Sequence, residues 1–438
     1  MKKISKLNFI FALLIVGGSV QAQEKKLLTL NEAVKLGLEN SKNLKIDAAK
    51  VQEATANFLE AKNNRLPGLK VSGTALALAN ADVNLKILKP SEGGGNAVKA
   101  NSAFLAQVSA SMQIYAGGKI KYGIQSAEYL IEAAKLNAEN NQVQIAYNIA
   151  QAYNNLFKAN QAIQVLTENL ASSEKRDETF LKLENNGVIA RNDRLKANLQ
   201  TSNLELQLLE AENNFKIATI NMDLLLGLPE NTEIEIPENY IQDSSLMEPV
   251  SYYVSEAFKN RKDLQALDFQ KKSSLLSIKS AKAESLPTVA LTGGYIAADV
   301  PNVLTVLNAA NIGVGINYNI DNLWKKNSSL VRAEARDEQL SLSNDLLNDQ
   351  IKLEINRDYQ NAVYAEKRIA IYEKSSLQAD ENYRVTKNKY DNGLATITEL
   401  LDADSAQIVT HVNVINAKAD AALAYRKLLQ STGTLNLQ

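Results

Sequence analysis

The hydrophobic and polar positions follow two different periods along this chain, and the period changes twice in the same way. The segments "AKNNRLPGLKVSG" (61–73) and "AKAESLPTVALTG" (281–293) each end a helix-like run at Leu-Pro and then alternate as a strand does. Proline moves the residue before it away from helical backbone angles, so helices are predicted to end at Leu66 and Leu286. A strand is expected directly after each.

The second strand of each predicted pair alternates most clearly. The segment "FLAQVSASMQIY" (104–115) has apolar residues at its even-numbered positions, and "NIGVGINYNID" (311–321) has them from Ile312 to Ile320. Uncharged alternation over about ten residues is typical of a strand between lipid and water. A half-buried strand of a soluble sheet shows the same pattern. The alternation predicts strand pairs at about 68–116 and 287–321.

Long helices follow each predicted strand pair. No proline occurs from Ile124 to Glu184, and apolar residues recur at helical spacing with a seven-residue repeat. Such a run makes a supercoiled rod of roughly 90 Å that is too polar to cross a bilayer. It ends at "LENNG" (183–187), and the equivalent point later in the chain is "YDNGL" (390–394). Helical flanks on both sides predict helical hairpins, with Gly187 and Gly393 as left-handed caps.

The order of elements occurs twice, which predicts two internal repeats. Matching residues lie 220 positions apart around the Leu-Pro pairs and 206 apart through the long helices. The first copy therefore has 14 extra residues, assigned to the Gly-rich loop within 79–101. The predicted boundaries are 1–22 for a signal peptide, 23–227 for the first repeat, 228–250 for a linker and 251–438 for the second repeat.

Composition narrows the possible functions. Lys2, Lys3 and Lys6 precede an apolar run and small residues that end at Ala22, which is the pattern of a secretory signal. Its removal changes the net charge from −1 to −4, so neither nucleic acid nor anionic lipid is an expected partner. The chain has no cysteine and a single histidine, His411, so no disulfide, metal site, cofactor site or catalytic centre is predicted.

The sequence resembles the TolC family of outer-membrane efflux and secretion channels over essentially its whole mature length. The segments that carry the resemblance, besides the Leu-Pro pairs, are "LTLNEAVKLGLENS" (28–41), "LLLGLP" (224–229) and "YDNGLATITELLDA" (390–403). It implies an α+β membrane protein in which four transmembrane β-strands per chain are pooled into a trimeric 12-stranded barrel. This barrel continues into a long periplasmic α-helical coiled-coil barrel.

The resemblance also implies a function and partners. The protein is expected to be a homotrimeric, passive exit duct that contacts outer-membrane lipid, a periplasmic adaptor protein and an inner-membrane pump of the RND, ABC or a similar class. Independently of the family, four strands are too few to close a barrel, because the smallest single-chain barrels have about eight, so several chains must share one. Drug efflux, metal efflux and type I protein secretion all remain open, and so do two alternatives, a periplasmic coiled-coil adaptor and a structural protein without a barrel.

Two groups of site residues follow from the resemblance. The adaptor is expected to dock on the two hairpin turns, which are Gly187, Val188 and Ile189 in the first and Gly393, Leu394 and Ala395 in the second. A periplasmic constriction is expected at Asp193, Tyr390, Glu399 and Asp402. Glu399 and Asp402 lie three residues apart and share one helix face, where a trimer would form a ring of carboxylates. An arginine that joins neighbouring coils in the family is replaced by Ala395, which predicts a more loosely held closed state.

Overall fold

The computed structural model describes residues 26–83, 98–230, 232–237, 240, 247–301 and 303–436. The predicted signal peptide and most of the Gly-rich loop within 79–101 lie outside these residues. None of the helices described has a stretch long and apolar enough to cross a membrane.

Each half of the chain has a two-residue strand, two shorter helices, two long strands and two long helices. After the two-residue strand β1 (Lys26–Leu27), the first half contains α1 (Leu30–Asn40), α2 (Lys42–Asn63), β2 (Gly68–Val83), β3 (Val98–Tyr115), α3 (Lys119–Asn185) and α4 (Arg191–Leu226). The second half contains β4 (Ile234–Glu235), α5 (Val250–Asn260), α6 (Lys262–Ala283), β5 (Thr288–Val300), β6 (Leu304–Asn317), α7 (Ser328–Asp391) and α8 (Ile397–Ser431).

The spacing of these elements follows the two offsets seen in the sequence. Helices α5 and α6 begin and end at the same offset from α1 and α2 that separates the two Leu-Pro pairs. Helix α8 begins at the second offset from α4, the one found through the long helices. The short strands β1 and β4 pair with each other in parallel and so connect the start of the chain to the segment between the halves.

The helix exits predicted at Leu-Pro are confirmed. The amide of Leu66 donates to the Asn63 carbonyl over 2.9 Å, and Leu286 makes the same last turn with Ala283 over 3.1 Å. The next residue is proline in both copies and has no N–H with which to continue the helix. Strands β2 and β5 therefore begin at Gly68 and Thr288.

The four long strands form one antiparallel sheet in the order β2-β3-β5-β6. Its register places apolar residues of all four strands in continuous rows on one face. One row contains Leu69, Ala110, Gly293 and Ile312, and the next contains Val71, Val108, Tyr295 and Ala310. Leu69 and Ile312, on the two outer strands, are 77% and 82% exposed. The opposite face carries polar pairs such as Ser72 with Gln107.

The last strand ends earlier than the alternation predicted. Strand β6 stops at Asn317, and Ile320–Leu323 form a 3-10 turn instead of continuing to residue 321. The Asp321 carbonyl accepts from the amides of Trp324 and Lys325, and the Asp321 carboxylate pairs with Lys325. Asn and Asp favour turns over strands, and four of the six residues 317–322 are Asn or Asp, which the apolar period alone does not reveal.

The long helices pack side by side and end in two turns. Helix α3 has 67 residues and is about 100 Å long. Helix α3 packs against α4 and α8, and α8 packs against α7. Near the turns the four helices therefore stand in the order α4-α3-α8-α7, with α4 and α7 on the outside. Where α1 and β4 join the bundle, the main core contains Ile149, Tyr153 and Leu156 of α3 and Met222 and Leu226 of α4. The buried Tyr153 hydroxyl donates to the Leu28 carbonyl over 2.7 Å.

Candidate functional site at the hairpin tips

The two hairpins turn in the same way. Gly187 and Gly393 both have φ of +71°, a left-handed conformation that favours glycine. The amides of Val188 and Leu394 donate to the carbonyls of Leu183 and Lys389 over 2.9 and 2.8 Å, which closes a Schellman motif in each turn. The helical turns predicted from Asn-Gly are thereby confirmed.

The six predicted docking residues differ in exposure. Val188 is 66% exposed and Leu394 is 78% exposed at the ends of the turns. Ile189 and Ala395, the residues that follow them, are half-buried, and Ile189 packs against the hydrophobic cluster between the hairpins. Each turn therefore presents one large apolar side chain to solvent, and the residue after it is less exposed.

An apolar cluster joins the two hairpins just behind their turns. We call it the tip cluster; its buried residues are Phe180, Ala197, Ile397, Leu400 and Leu401. Tyr390 packs against it, with its ring centroid 5.8 Å from that of Phe180. The predicted gate residue Tyr390 therefore connects the second hairpin to the first.

Asp193 lies close enough to Tyr390 to affect it electrostatically. Burial raises the pKa of Tyr390 above its ordinary value, and the carboxylates of Asp193 and Asp391 raise it further. Asp193 also pairs with Lys196 at 3.5 Å, and the Lys196 ammonium donates to the Thr398 hydroxyl on the other hairpin over 3.2 Å. Asp193 thus acts electrostatically on Tyr390 and is linked to the second hairpin through Lys196, and the role of the two residues in a gate stays a prediction.

Glu399 has a structural task that the sequence analysis missed. Its carboxylate accepts from the Thr396 amide over 2.7 Å, and the Thr396 hydroxyl accepts from the Glu399 amide over 3.3 Å. This is a capping box at the start of α8, recognisable in the sequence as Thr-x-x-Glu. Hydrogen bonds from the Thr396 backbone and then its hydroxyl lower the pKa of Glu399. Asp402, one turn further on, is exposed.

A buried ion pair between the hairpins was also missed. Arg176 of α3 donates to Asp404 of α8 over 2.7 Å, and the two side chains are only 12% and 7% exposed. A second arginine, Arg194, pairs with Glu184 across the first turn. Ala395 is uncharged, but Arg176 supplies a charged link between the hairpins from another helix. Because 228 residues separate Arg176 from Asp404, no local pattern indicates this pair.

Comparison with known proteins agrees with this architecture. The outer membrane efflux protein family matches residues 33–228 and 253–434. BepC of Brucella suis, an outer membrane efflux protein, is 19% identical over 400 residues, which cover 89% of this chain and 87% of BepC. The outer membrane protein VceC of Vibrio cholerae is 20% identical, with a TM-score of 0.75, over 92% of this chain and 96% of VceC. The MtrE channel of Neisseria gonorrhoeae, solved in an open state, is 18% identical, with a TM-score of 0.73, over 93% of this chain and 90% of MtrE.

The chain is an outer membrane efflux channel of the TolC type and belongs to the outer membrane efflux protein family. It resides in the outer membrane with a large periplasmic portion and serves as an exit duct for tripartite efflux. Proteins of this family are passive channels rather than enzymes, and they work as trimers with adaptors and pumps. Family membership therefore decides against the alternatives of an adaptor and of a structural protein.

Proposed function

We propose that three copies of this chain pool their sheets into one 12-stranded barrel, which continues into a helical tunnel made of the long hairpins. The four-stranded sheet is the observation that supports this proposal. Its outer strands, β2 and β6, each lie at an edge, and its apolar face is continuous across all four strands. Open edges are not tolerated in hydrocarbon, because unpaired backbone N–H and C=O groups lose their hydrogen bonds to water. Pairing β2 of one copy with β6 of the next removes every edge.

The oligomer can be tested on protein extracted from outer membranes in mild detergent. We expect a mass of three chains by light scattering or native mass spectrometry, and ion conductance after insertion into planar bilayers. A monomer that remains monomeric in lipid and conducts no ions would overturn the proposal.

We further propose that the two turns are the docking surface for the periplasmic adaptor of an inner-membrane pump. Val188 and Leu394 support this assignment because each is a large apolar side chain exposed in the turn that ends its hairpin. Grouped exposed apolar side chains mark contact sites, and the tip cluster holds the two turns next to each other. Gly187 and Gly393 give these turns their left-handed conformation, Ile189 packs the first turn against the tip cluster, and Ala395 follows Leu394 as a half-buried residue.

The docking proposal is tested with Val188→Glu and Leu394→Glu in cells that contain the pump and adaptor. Trimers should remain intact, while cross-linking to the adaptor and efflux both fall. Leu377→Glu is the matched control, because Leu377 is 71% exposed on α7 but lies 16 residues before the turn glycine. Unchanged cross-linking of both turn variants would refute docking at the turns.

We also propose that Glu399 and Asp402 line the narrowest part of the tunnel, with Tyr390 and Asp193 holding the hairpins together beside it. The two acids occupy one exposed face of α8 at the level of the tip cluster, whose α8 residues are Ile397, Leu400 and Leu401. Three chains would place six carboxylates around one axis, a ring that attracts cations and repels anions. The cargo itself is set by the pump that the duct serves.

A further inference from the structure

An unpartnered apolar stripe runs along the outer helix of the first hairpin. Six large side chains of α4 are between 48% and 63% exposed, and we call them the α4 stripe: Leu195, Leu199, Leu206, Leu209, Ile217 and Leu224. At about 100° per residue they fall within about 80° of one another. They lie opposite the buried face of α4, which includes Leu204 and Met222 and packs on the rest of the bundle.

The outer helix of the second hairpin has a matching stripe. Five side chains of α7 are between 60% and 71% exposed, and we call them the α7 stripe: Leu342, Leu346, Leu353, Tyr364 and Ile371. They fall within about 40° of one another on the helix, opposite the buried residues Ile351 and Ile355. An apolar stripe of this width is the surface that a helix normally buries against a neighbour.

The two stripes overlap in height above the turns. Leu209 lies as far after Gly187 as Ile371 lies before Gly393. Ile217 and Tyr364 match in the same way to within one residue. Both helices rise by about 1.5 Å per residue, so these pairs stand level when two hairpin tips are aligned. The upper α7 stripe continues beyond the end of α4.

The charges that flank the stripes have opposite signs at equal heights. Glu205 and Glu212 lie on one side of the α4 stripe, and Lys374 and Lys367 lie beside the α7 stripe. Counted from the turn glycines, Glu205 is level with Lys374 and Glu212 with Lys367, each to within one residue. When the two stripes face each other with the helices antiparallel, these four residues fall on the same side of the seam.

The other side of the seam is complementary as well. Glu210 lies on the opposite flank of the α4 stripe, and Arg368 lies on the corresponding flank of α7, level with Glu210 to within two residues. The Arg368 guanidinium stacks over the rings of Tyr364 and Tyr372, with distances of 5.6 and 5.4 Å to their centroids. The stacking holds Arg368 along the stripe, within reach of a facing carboxylate.

We propose that the α4 stripe of one copy packs against the α7 stripe of the next copy, with the two turn glycines level and with Glu205, Glu210 and Glu212 facing Lys374, Arg368 and Lys367. This seam rests on the proposed trimer and gives it a register. A second copy is the occupant because both stripes belong to one chain, lie on opposite outer helices and match in height and charge. Repeating the contact around the axis closes a ring.

The absence of cysteine makes disulfide cross-linking a direct test. The variant with both Leu209→Cys and Ile371→Cys should form covalent dimers and trimers when the membrane-extracted protein is oxidised. The matched control combines Leu209→Cys with Leu353→Cys, whose heights differ by about 27 Å, far beyond the reach of a disulfide. Neither Leu209→Cys alone nor Ile371→Cys alone should give covalent dimers or trimers.

Charge reversal supplies a second readout. Glu212→Lys should make the trimer dissociate at a lower temperature in detergent. Adding Lys367→Glu should restore part of the lost stability. Adding Lys352→Glu, a reversal at a distant exposed lysine, should restore none of it. The seam would be overturned, with the trimer left in place, if the Leu209→Cys, Ile371→Cys variant forms intact trimers that do not cross-link. Equal cross-linking of the control pair would overturn the seam as well. Failure of the unmodified chain to form trimers would overturn the proposed duct itself.

Discussion

The two hairpins share one backbone design but carry different charges at equivalent positions. The first hairpin has Ala190, Asp193, Lys196 and Asn198, where the second has Thr396, Glu399, Asp402 and Asp404. In the first, Asp193 is paired with Lys196. In the second, the same two positions are both acidic. Two copies of one fold thus differ in the property that matters for an ion path.

The difference shows which hairpin can provide a charged constriction. The acid of the first hairpin is neutralised within one helical turn, whereas Glu399 and Asp402 have no basic residue at the intervening positions. Asp404 does not add to such a ring, because it is buried against Arg176. A cation-attracting ring would therefore draw on the second hairpin alone.

The largest expected effect concerns the ion pair between Arg176 and Asp404, which exists only once in the part of the chain that the structure describes. The equivalent positions in the other copy are Asn198 and Asn382, which are both neutral. Arg176→Ala leaves the Asp404 carboxylate buried without its partner, and we expect the free energy of unfolding to fall by about 3 to 5 kcal/mol. Chemical denaturation in detergent measures this. The double variant Arg176→Met with Asp404→Leu should recover most of the stability, and an equally unstable double variant would contradict the assignment.

A second asymmetry lies at the other end of the hairpins and gives a pH-dependent effect. Asp223, near the C-terminus of α4, is fully buried, and its equivalent in the second copy is Leu429. Burial raises the pKa of Asp223 to about 6 from 3.8, although an interaction with the Thr232 backbone offsets part of the rise. The negative end of the α4 dipole also disfavours its charged form.

The sign of the effect follows from proton linkage. The folded state holds the Asp223 proton up to about pH 6, whereas the unfolded chain releases it near pH 4. Stability should therefore fall as the pH rises from about 4 to 6 and stay low above that. Asp223→Asn should raise the free energy of unfolding at pH 8 by on the order of 2 kcal/mol and change it little at pH 4. Equal gains at both pH values would indicate that charge burial is not the cause.

The parts of this molecule that sequence predicts are those with local causes. Proline at 67 and 287 and glycine at 187 and 393 act on their immediate neighbours, so the helix exits and turns are correct to within a few residues. The Arg176–Asp404 pair and the burial of Asp223 depend on how distant helices pack, which no short pattern encodes. The Glu399 cap has a local cause, because the Thr-x-x-Glu motif of a capping box is visible in the sequence. It was not predicted because the same carboxylate also fitted the role of a gate residue.

The smallest expected effect on stability separates these two roles of Glu399 and tests the constriction proposed for the second hairpin. Glu399→Ala removes the capping box and should lower the melting temperature of the trimer slightly, whereas Asp402→Ala should not change it, since Asp402 is exposed. Glu399→Gln keeps a side chain that can accept from the Thr396 amide but has no charge.

The double variant Glu399→Gln with Asp402→Asn separates the capping role of Glu399 from its role in the constriction. It should keep the unmodified melting temperature and yet lose cation selectivity and block by multivalent cations in planar bilayers. The control is Glu338→Gln, because Glu338 is exposed on α7 but lies 55 residues before Gly393, and this change should leave selectivity nearly unchanged. If the double variant keeps its selectivity, the two carboxylates do not line the aperture, and Glu399 serves only as the cap of α8.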